Sequence, residues 1–177
     1  MSQTKEKEWE LERFYHTIIN AKDIDETVAF YEELGFSIIS ERRNMQWPDG
    51  AGITFGLIPN AKGRGGVLMV LPNDPDGPML DIIQWNDPKA TFNDISPTTI
   101  PRVTAFRTRN VAAAMKALQA KGYRTATPEP TNVKEAGILA CGCVYDPNGN
   151  LIEMIELAPG LRTSKLHEVR APGKKLD

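Results

Sequence analysis

Glu153 is the residue whose setting first suggests chemistry. It stands in LIEMIEL, Leu151 to Leu157, with Ile152 and Met154 on either side. In a strand the side chains alternate, so Glu153, Ile155 and Leu157 share one face while Ile152, Met154 and Glu156 share the other. A carboxylate among apolar residues is costly to bury alone, which leaves three readings: a functional acid, a residue at a wet sheet edge, or the partner of an arginine. A second acid, Asp81, takes the matching place in MLDIIQW, Met79 to Trp85, and His16 in FYHTIINA, Phe14 to Ala21, adds an imidazole. One imidazole and two carboxylates can exchange protons, with burial lifting one carboxylate toward neutrality. Glu153 is then a general base removing a proton α to a carbonyl, and His16 or Asp81 returns or polarises it. The same nitrogen and oxygen donors suit a divalent metal, Zn²⁺, Ni²⁺, Mn²⁺ or Fe²⁺, so His16, Asp81 and Glu153 are also the candidate metal ligands. The plainer alternative for His16 is a neutral core imidazole bonded to Asp81 or Glu153.

Three more residues are candidates for binding substrate. Arg107, two residues past Ala105, has the geometry to grip a carboxylate or phenolate, or else marks the wet end of a strand. Asn20 takes the equivalent place earlier in the chain. Trp85 shares a face with Asp81, and with Trp47 forms either an aromatic wall or ordinary core. Lys62-Gly63-Arg64-Gly65-Gly66 lacks the spacing and following helix of a phosphate loop and reads as a flexible turn. His167 falls in a charged tail and reads as solvent-exposed.

The elements that must hold these residues repeat. Phe14 to Ala21 reads as a strand. Asp23 caps a helix carrying Ile24, Val28, Tyr31 and Leu34, Gly35 stops it, and Phe36 to Arg42 is the next strand. Residues 44–66 read as an elaborated hairpin or lid around a short apolar run, Ile53 to Ile58. Val67 to Leu71 and Met79 to Trp85 follow as strands, then a polar linker, 86–99. The pattern then restarts: Arg102 to Thr108 as a strand, Asn110 as a cap, Val111, Met115 and Leu118 on a helix, Gly122 as its stop, and Tyr123 to Ala126 as a strand. A shift of 87 residues superposes Thr17 on Thr104, Asp23 on Asn110, Val28 on Met115, Tyr31 on Leu118 and Gly35 on Gly122. The closing strands match at a shift of 72, Asp81 on Glu153, so the first copy is longer by the difference, 15 residues, as the insertion at 44–66 requires. The last hairpin, Cys141 to Leu157, turns at Asp146-Pro147-Asn148-Gly149-Asn150, where Pro presets φ and Asn-Gly tolerates positive φ.

The fold expected is α+β: tandem βαβββ modules forming a half-open barrel around a central cavity. The expected domains are a charged N-terminal tail (1–12), a single domain (13–158) of two modules (13–90 and 100–158), and a C-terminal tail (159–177). Net charge of −2 and pI near 5.8 provide no electrostatic footprint for nucleic acid or an anionic membrane. No apolar run approaches the roughly 18 residues of a membrane span, and the charged N-terminus is not a signal peptide. Cys141 and Cys143, two apart on one strand, point the same way and disfavour a mutual disulfide, which suits reduced thiols in a cytoplasmic protein.

FYHTIINAKDIDETVAFYEELGF, MLDIIQW and VYDPNGNLIEMIEL together resemble the vicinal oxygen chelate superfamily over residues 13–158. That superfamily includes glyoxalase I, type I extradiol dioxygenases, methylmalonyl-CoA epimerase, fosfomycin-resistance enzymes and bleomycin-resistance proteins. The resemblance carries its first-strand histidine onto His16 and its two carboxylates onto Asp81 and Glu153. Its fourth metal position falls on Val103, which cannot ligate, and this counts against dioxygenase chemistry. The resemblance implies a lyase or isomerase acting on a carbonyl or enolisable compound, metal-assisted, and a homodimer. Its non-catalytic alternative is a binding or resistance protein that sequesters an aromatic compound.

Overall fold

The computed structural model describes residues 15–48, 62–87, 103–134 and 137–159. The N-terminal tail, the C-terminal tail from 160 on with His167, residues 49–61 of the 44–66 insertion and residues 88–99 of the expected 86–99 linker lie outside these residues, while 86–87 belong to a strand. The chain divides into two compact units. The first comprises Met1–Ile100 together with Asp146–Asn150, and the second Pro101–Tyr145 and Leu151–Asp177.

The first unit runs β1 (His16–Ala21), α1 (Ile24–Glu33), β2 (Ser37–Glu41), β3 (Lys62–Val70) and β4 (Met79–Asp87). Its sheet has the order β1-β4-β3-β2, with β1 parallel to β4 and the other pairs antiparallel. Asp23 caps α1, accepting from the backbone N–H groups of Asp25 and Glu26 at 2.9 Å each. At the other end Gly35, at φ +93°, turns the chain, and the N–H groups of Gly35 and Phe36 return to Glu32 and Tyr31. Ile24, Val28 and Tyr31 face the sheet. Beneath them Ile19, Leu80, Ile82, Val67 and Met69 are all at most 5% exposed, and register pairs Ile19 with Ile82, Val67 with Ile82 and Met69 with Leu80. Burying side chains of this size contributes roughly 1.5–3 kcal/mol apiece, so this contact dominates the unit.

The second unit repeats the topology: β5 (Val103–Arg107), α2 (Val111–Ala120), β6 (Thr131–Val133), β7 (Ile138–Tyr145) and β8 (Leu151–Leu157), in the order β5-β8-β7-β6. Asn110 caps α2, accepting from Ala113 N–H at 3.1 Å, and Gly122 at φ +86° repeats the stop. Val111, Met115 and Leu118 are buried on the sheet side. Gly142 permits this packing, because a Cβ there would lie 2.1 Å from Met115 Sδ.

Both sheets are therefore open four-stranded βαβββ sheets, and the α+β class stands. Two local expectations need correction. Lys62 to Gly66 is not a flexible turn but the first half of β3. A Cβ on Gly63 would lie 2.8 Å from the Trp85 ring and one on Gly65 2.7 Å from Ile24 Cδ1, so these glycines admit neighbours packed from above and below. A register shift between Arg64 and Val67 carries the resulting bulge. Tyr123 to Ala126 forms no continuous strand; Thr125 makes an isolated bridge to Val144, and Pro128 and Pro130, which lack a donor, precede the short edge strand β6.

The turn at 146–150 forms as its sequence suggests, with Gly149 at φ +83° donating to Asp146 O at 3.0 Å. It packs in the first unit. Asp146, 4% exposed, accepts from the backbone of Asn148 and Asn150, from Asn150 Nδ2 and from the Tyr31 hydroxyl at 3.2 Å. Asn148 accepts from Lys22 N–H and donates to Thr27 Oγ1, both at 2.9 Å. Burial, and secondly the Asp146 charge, hold the Tyr31 hydroxyl far above the usual tyrosine range, so it remains a donor.

Candidate functional site

α1 covers one face of the first sheet; the candidate residues occupy the other. Register pairs His16 with Met79 and Ile18 with Asp81, so His16, Ile18, Asn20, Asp81, Ile83 and Trp85 share that second face. His16 and Asp81 interact electrostatically and are both half-buried. Among the described residues, His16 Nδ1 and Asp81 Oδ1 are buried atoms without a hydrogen-bond partner. Such atoms are rare because each forfeits its hydration without recompense. Burial pushes the Asp81 carboxyl above the usual carboxylate range, and the charges of His16 and then Arg42 pull it back only in part.

Farther along the face, Trp85 Nε1 donates to Asn20 Oδ1 at 2.8 Å. Ile83 and Trp85 are buried, with Ile18 and Trp47 packed against them, and Trp47 Nε1 donates to Gly65 O at 2.9 Å. Asn20 and Trp85 are thus joined to each other beside the His16–Asp81 pair.

In the second unit Glu153 lies on the face away from α2. Its register partners are Ala105 on β5 and Cys143 on β7, and Arg107 pairs with Ile155 on the same face. Glu153 is half-buried and Arg107 exposed. Burial first, and then the neighbouring Glu153 and Cys141, push the Cys143 thiol up, so it stays protonated and is no nucleophile. Both cysteines are free. Val103 is 50% exposed at the head of β5. Glu156, next but two on β8, turns the opposite way and accepts from Val111 N–H at the start of α2, at 3.1 Å.

His16 and Asp81 are therefore brought together in the first unit, as are Asn20 and Trp85, while Glu153 and Arg107 share a face of the second. Within neither unit, among the described residues, do three or more His, Cys, Asp or Glu side chains gather as ion ligands. The neighbour that the sequence does not single out is Arg42. It follows directly on β2, and nothing in the sequence says what it meets.

A family model described as the glyoxalase/bleomycin resistance protein/dioxygenase superfamily matches residues 13–154. The chain belongs to this superfamily. Among solved structures, this superfamily member is similar to a glyoxalase family protein from Bacillus cereus, with 17% identity, a TM-score of 0.66, and coverage of 89% of this chain and 99% of that one. It is also similar to the trypanothione-dependent glyoxalase I of Leishmania major, with 17% identity, a TM-score of 0.54, and coverage of 82% and 87%. Glyoxalase I from Zea mays shares 19% identity at a TM-score of 0.56 over 82% of this chain, which spans only 45% of the maize protein. These likenesses establish the fold. No curated protein matches the sequence significantly. No helix among the described residues is long and apolar enough to cross a membrane.

Proposed function

We propose that this superfamily member is a small-molecule enzyme of lyase or isomerase type, acting on a carbonyl or enolisable compound through His16, Asp81 and Glu153. The observation that carries the reading is the pair of orphaned polar atoms, His16 Nδ1 and Asp81 Oδ1, on the sheet face that α1 leaves uncovered. Glu153 is the general base that removes the proton α to the carbonyl. His16 or Asp81 returns that proton or polarises the carbonyl oxygen. Arg107 binds the substrate's polar end, and Asn20 with Trp85 forms the floor under its apolar part.

The orphaned atoms also bear on a metal. An imidazole nitrogen and a carboxylate oxygen without partners are a donor pair suited to Zn²⁺, Ni²⁺, Mn²⁺ or Fe²⁺. His16 and Asp81 would hold such an ion, which when bound would polarise the substrate oxygen. A homodimer in the cytoplasm belongs to the same reading.

The test is solvent deuterium exchange at the α-carbon of small oxo-aldehydes and ketones, followed by proton NMR. Glu153→Gln is expected to slow exchange by about 10²–10⁴-fold with the fold intact. Full exchange in that variant removes Glu153 from the reaction. A second reading, a binder that sequesters an aromatic compound, draws on the apolar cluster of Ile18, Ile83, Trp85 and Trp47 next to the pair. A binder keeps its affinity for an aromatic ligand in Glu153→Gln and exchanges no protons.

A further inference from the structure

The turn at 146–150 holds an Asn–Gly pair, Asn148-Gly149, in a setting that blocks the pair's own chemistry. An asparagine before glycine loses its amide when the glycine's backbone nitrogen reaches the side-chain carbon, since no Cβ obstructs the approach. Here both groups are committed. Asn148 Oδ1 accepts from the Lys22 N–H and Nδ2 donates to Thr27 Oγ1, both at 2.9 Å, so the amide is fixed at both ends to α1 and its lead-in. The Gly149 N–H donates to Asp146 O at 3.0 Å, and Asn148 is 4% exposed, which keeps out water and base. Among the described residues Asp76-Gly77, between β3 and β4, is a second pair open to this chemistry. It has the same turn bond, Gly77 N–H to Asp74 O at 3.0 Å, but Asp76 is exposed. Docking, not turn geometry, sets Asn148 apart.

The same contacts accept an amide and refuse a carboxylate. Thr27 Oγ1 donates its only proton to Asp23 O at 2.6 Å, so it faces Asn148 as an acceptor. An aspartate at 148 has no proton to offer it, and would place a second charge two residues from Asp146, itself 4% exposed. The positive end of α1 provides no relief, because the N–H groups of Ile24, Asp25 and Glu26 are already met by Gln84 and Asp23. We infer that Asn148-Gly149 is a modification site gated by the docking of this turn: protected while the turn lies against α1, deamidated when it leaves, and then unable to return. In the reaction the Gly149 nitrogen gives its proton to base and attacks Asn148 Cγ. The new C–N bond closes a succinimide, the Cγ–Nδ2 bond breaks, and Nδ2 leaves as ammonia with a proton from solvent. Water then opens the ring at either carbonyl, to aspartate or isoaspartate. An amide and a water thus become a carboxylate and an ammonium ion, with no change of oxidation state. The turn is in this way an irreversible record of its own local opening.

The experiment incubates the full chain in mildly alkaline buffer, folded and in urea, and follows both pairs by peptide mass spectrometry with chromatography that resolves isoaspartate. Asn148 is expected to convert at least about ten-fold more slowly in the folded chain, the scale of an opening that breaks one buried hydrogen bond. Asp76 should convert at comparable rates in both. Thr27→Val removes the acceptor of Nδ2 and should speed conversion in the folded chain while leaving the rate in urea unchanged. If that variant does not fold, Tyr31→Phe, which loses only the hydroxyl bond to Asp146, takes its place. Asn148→Asp tests the return. Hydrogen exchange at Lys22 and over 146–150 should rise at least about ten-fold while β4 stays protected. Conversion of folded Asn148 at the urea rate, an equal slowing of Asp76, or a folded rate unmoved by loosening the turn overturns the inference. So does an Asn148→Asp turn as protected as the original, or a loss of protection that extends to β4.

Discussion

The two units are copies of one βαβββ design that have diverged on the face each leaves uncovered. Both share the strand order, the parallel pairing of first and last strands, the buried helical triplet and the glycine stop. On the uncovered face the first unit presents His16 and Asp81 with unmet polar atoms. The second presents Val103 where the first has His16, and Glu153 beside a protonated thiol. The helix-side face is held in common because it must fill the same space against the same apolar stripe. The other face meets no such stripe: in the first unit it carries its own small cluster, Ile83 and Trp85 with Ile18 and Trp47, beside the polar pair.

The largest effect that tests this contrast lies on β8. Glu153→Gln is expected to cost about 10²–10⁴-fold in α-proton exchange and little in stability. Glu156→Gln, on the same strand but turned to α2, should do the reverse. Its carboxylate meets the Val111 N–H at the positive end of the helix, so its loss is expected to cost about 0.5–2 kcal/mol in denaturant unfolding with exchange unchanged. If both glutamates affected the same quantity, the division of labour between the faces would be wrong.

The caps sharpen the comparison next. Asp23 is extended at φ −135°, whereas Asn110 adopts φ +54°. Asn110→Ala loses both the bond to Ala113 N–H and a residue type that tolerates that φ, and should cost about 1–2 kcal/mol. Asn110→Gly, which relieves the backbone, should cost only a few tenths. Equal losses, measured by urea midpoint, would remove the conformational part of the account.

Asp81 offers a pH test. Its carboxyl lies above the usual range in the folded chain, so the folded state holds that proton more tightly than the unfolded chain does. Stability from this group is complete below its unfolded value near 3.8 and is lost as pH rises through the higher folded value. Asp81→Asn should therefore raise Tm at pH 7 and give up that advantage on acidification below about pH 4, while impairing α-proton exchange. A lower Tm at pH 7 would mean that the His16 and Arg42 charges outweigh burial. The smallest expected effect is at Cys143. Removing the neighbouring charge in Glu153→Gln should modestly speed its alkylation by iodoacetamide at pH 8, with burial still holding the thiol up. An unchanged rate, with Cys141→Ser as background, would place no Glu153 charge beside it.

Elements controlled by local chemistry were legible before any coordinates. A cap, a 3.6-residue apolar stripe and a glycine stop repeat at one spacing, so both helices and the duplication follow from residues a few positions apart. The face of Glu153 and the common direction of the two cysteines follow from alternation alone. The strand through Lys62–Gly66 was not legible, because glycines needed for close approach to Trp85 and Ile24 look in sequence like glycines of a loop. Nor was the docking of Asp146 under Tyr31, where two residues 115 apart satisfy each other's buried polar groups.

By itself, then, the sequence determined the βαβββ units, their copying, and which residues share a strand face, since each depends on interactions within a few residues or on a strict period of two. Tertiary structure alone decided that Asp81 feels the charges of His16 and Arg42, that Asn20 is taken up by Trp85, and that His16 Nδ1 and Asp81 Oδ1 stay buried without partners among the described residues. Those outcomes depend on strand order and register, which bring together residues far apart in the chain, and on the burial that strips them of water.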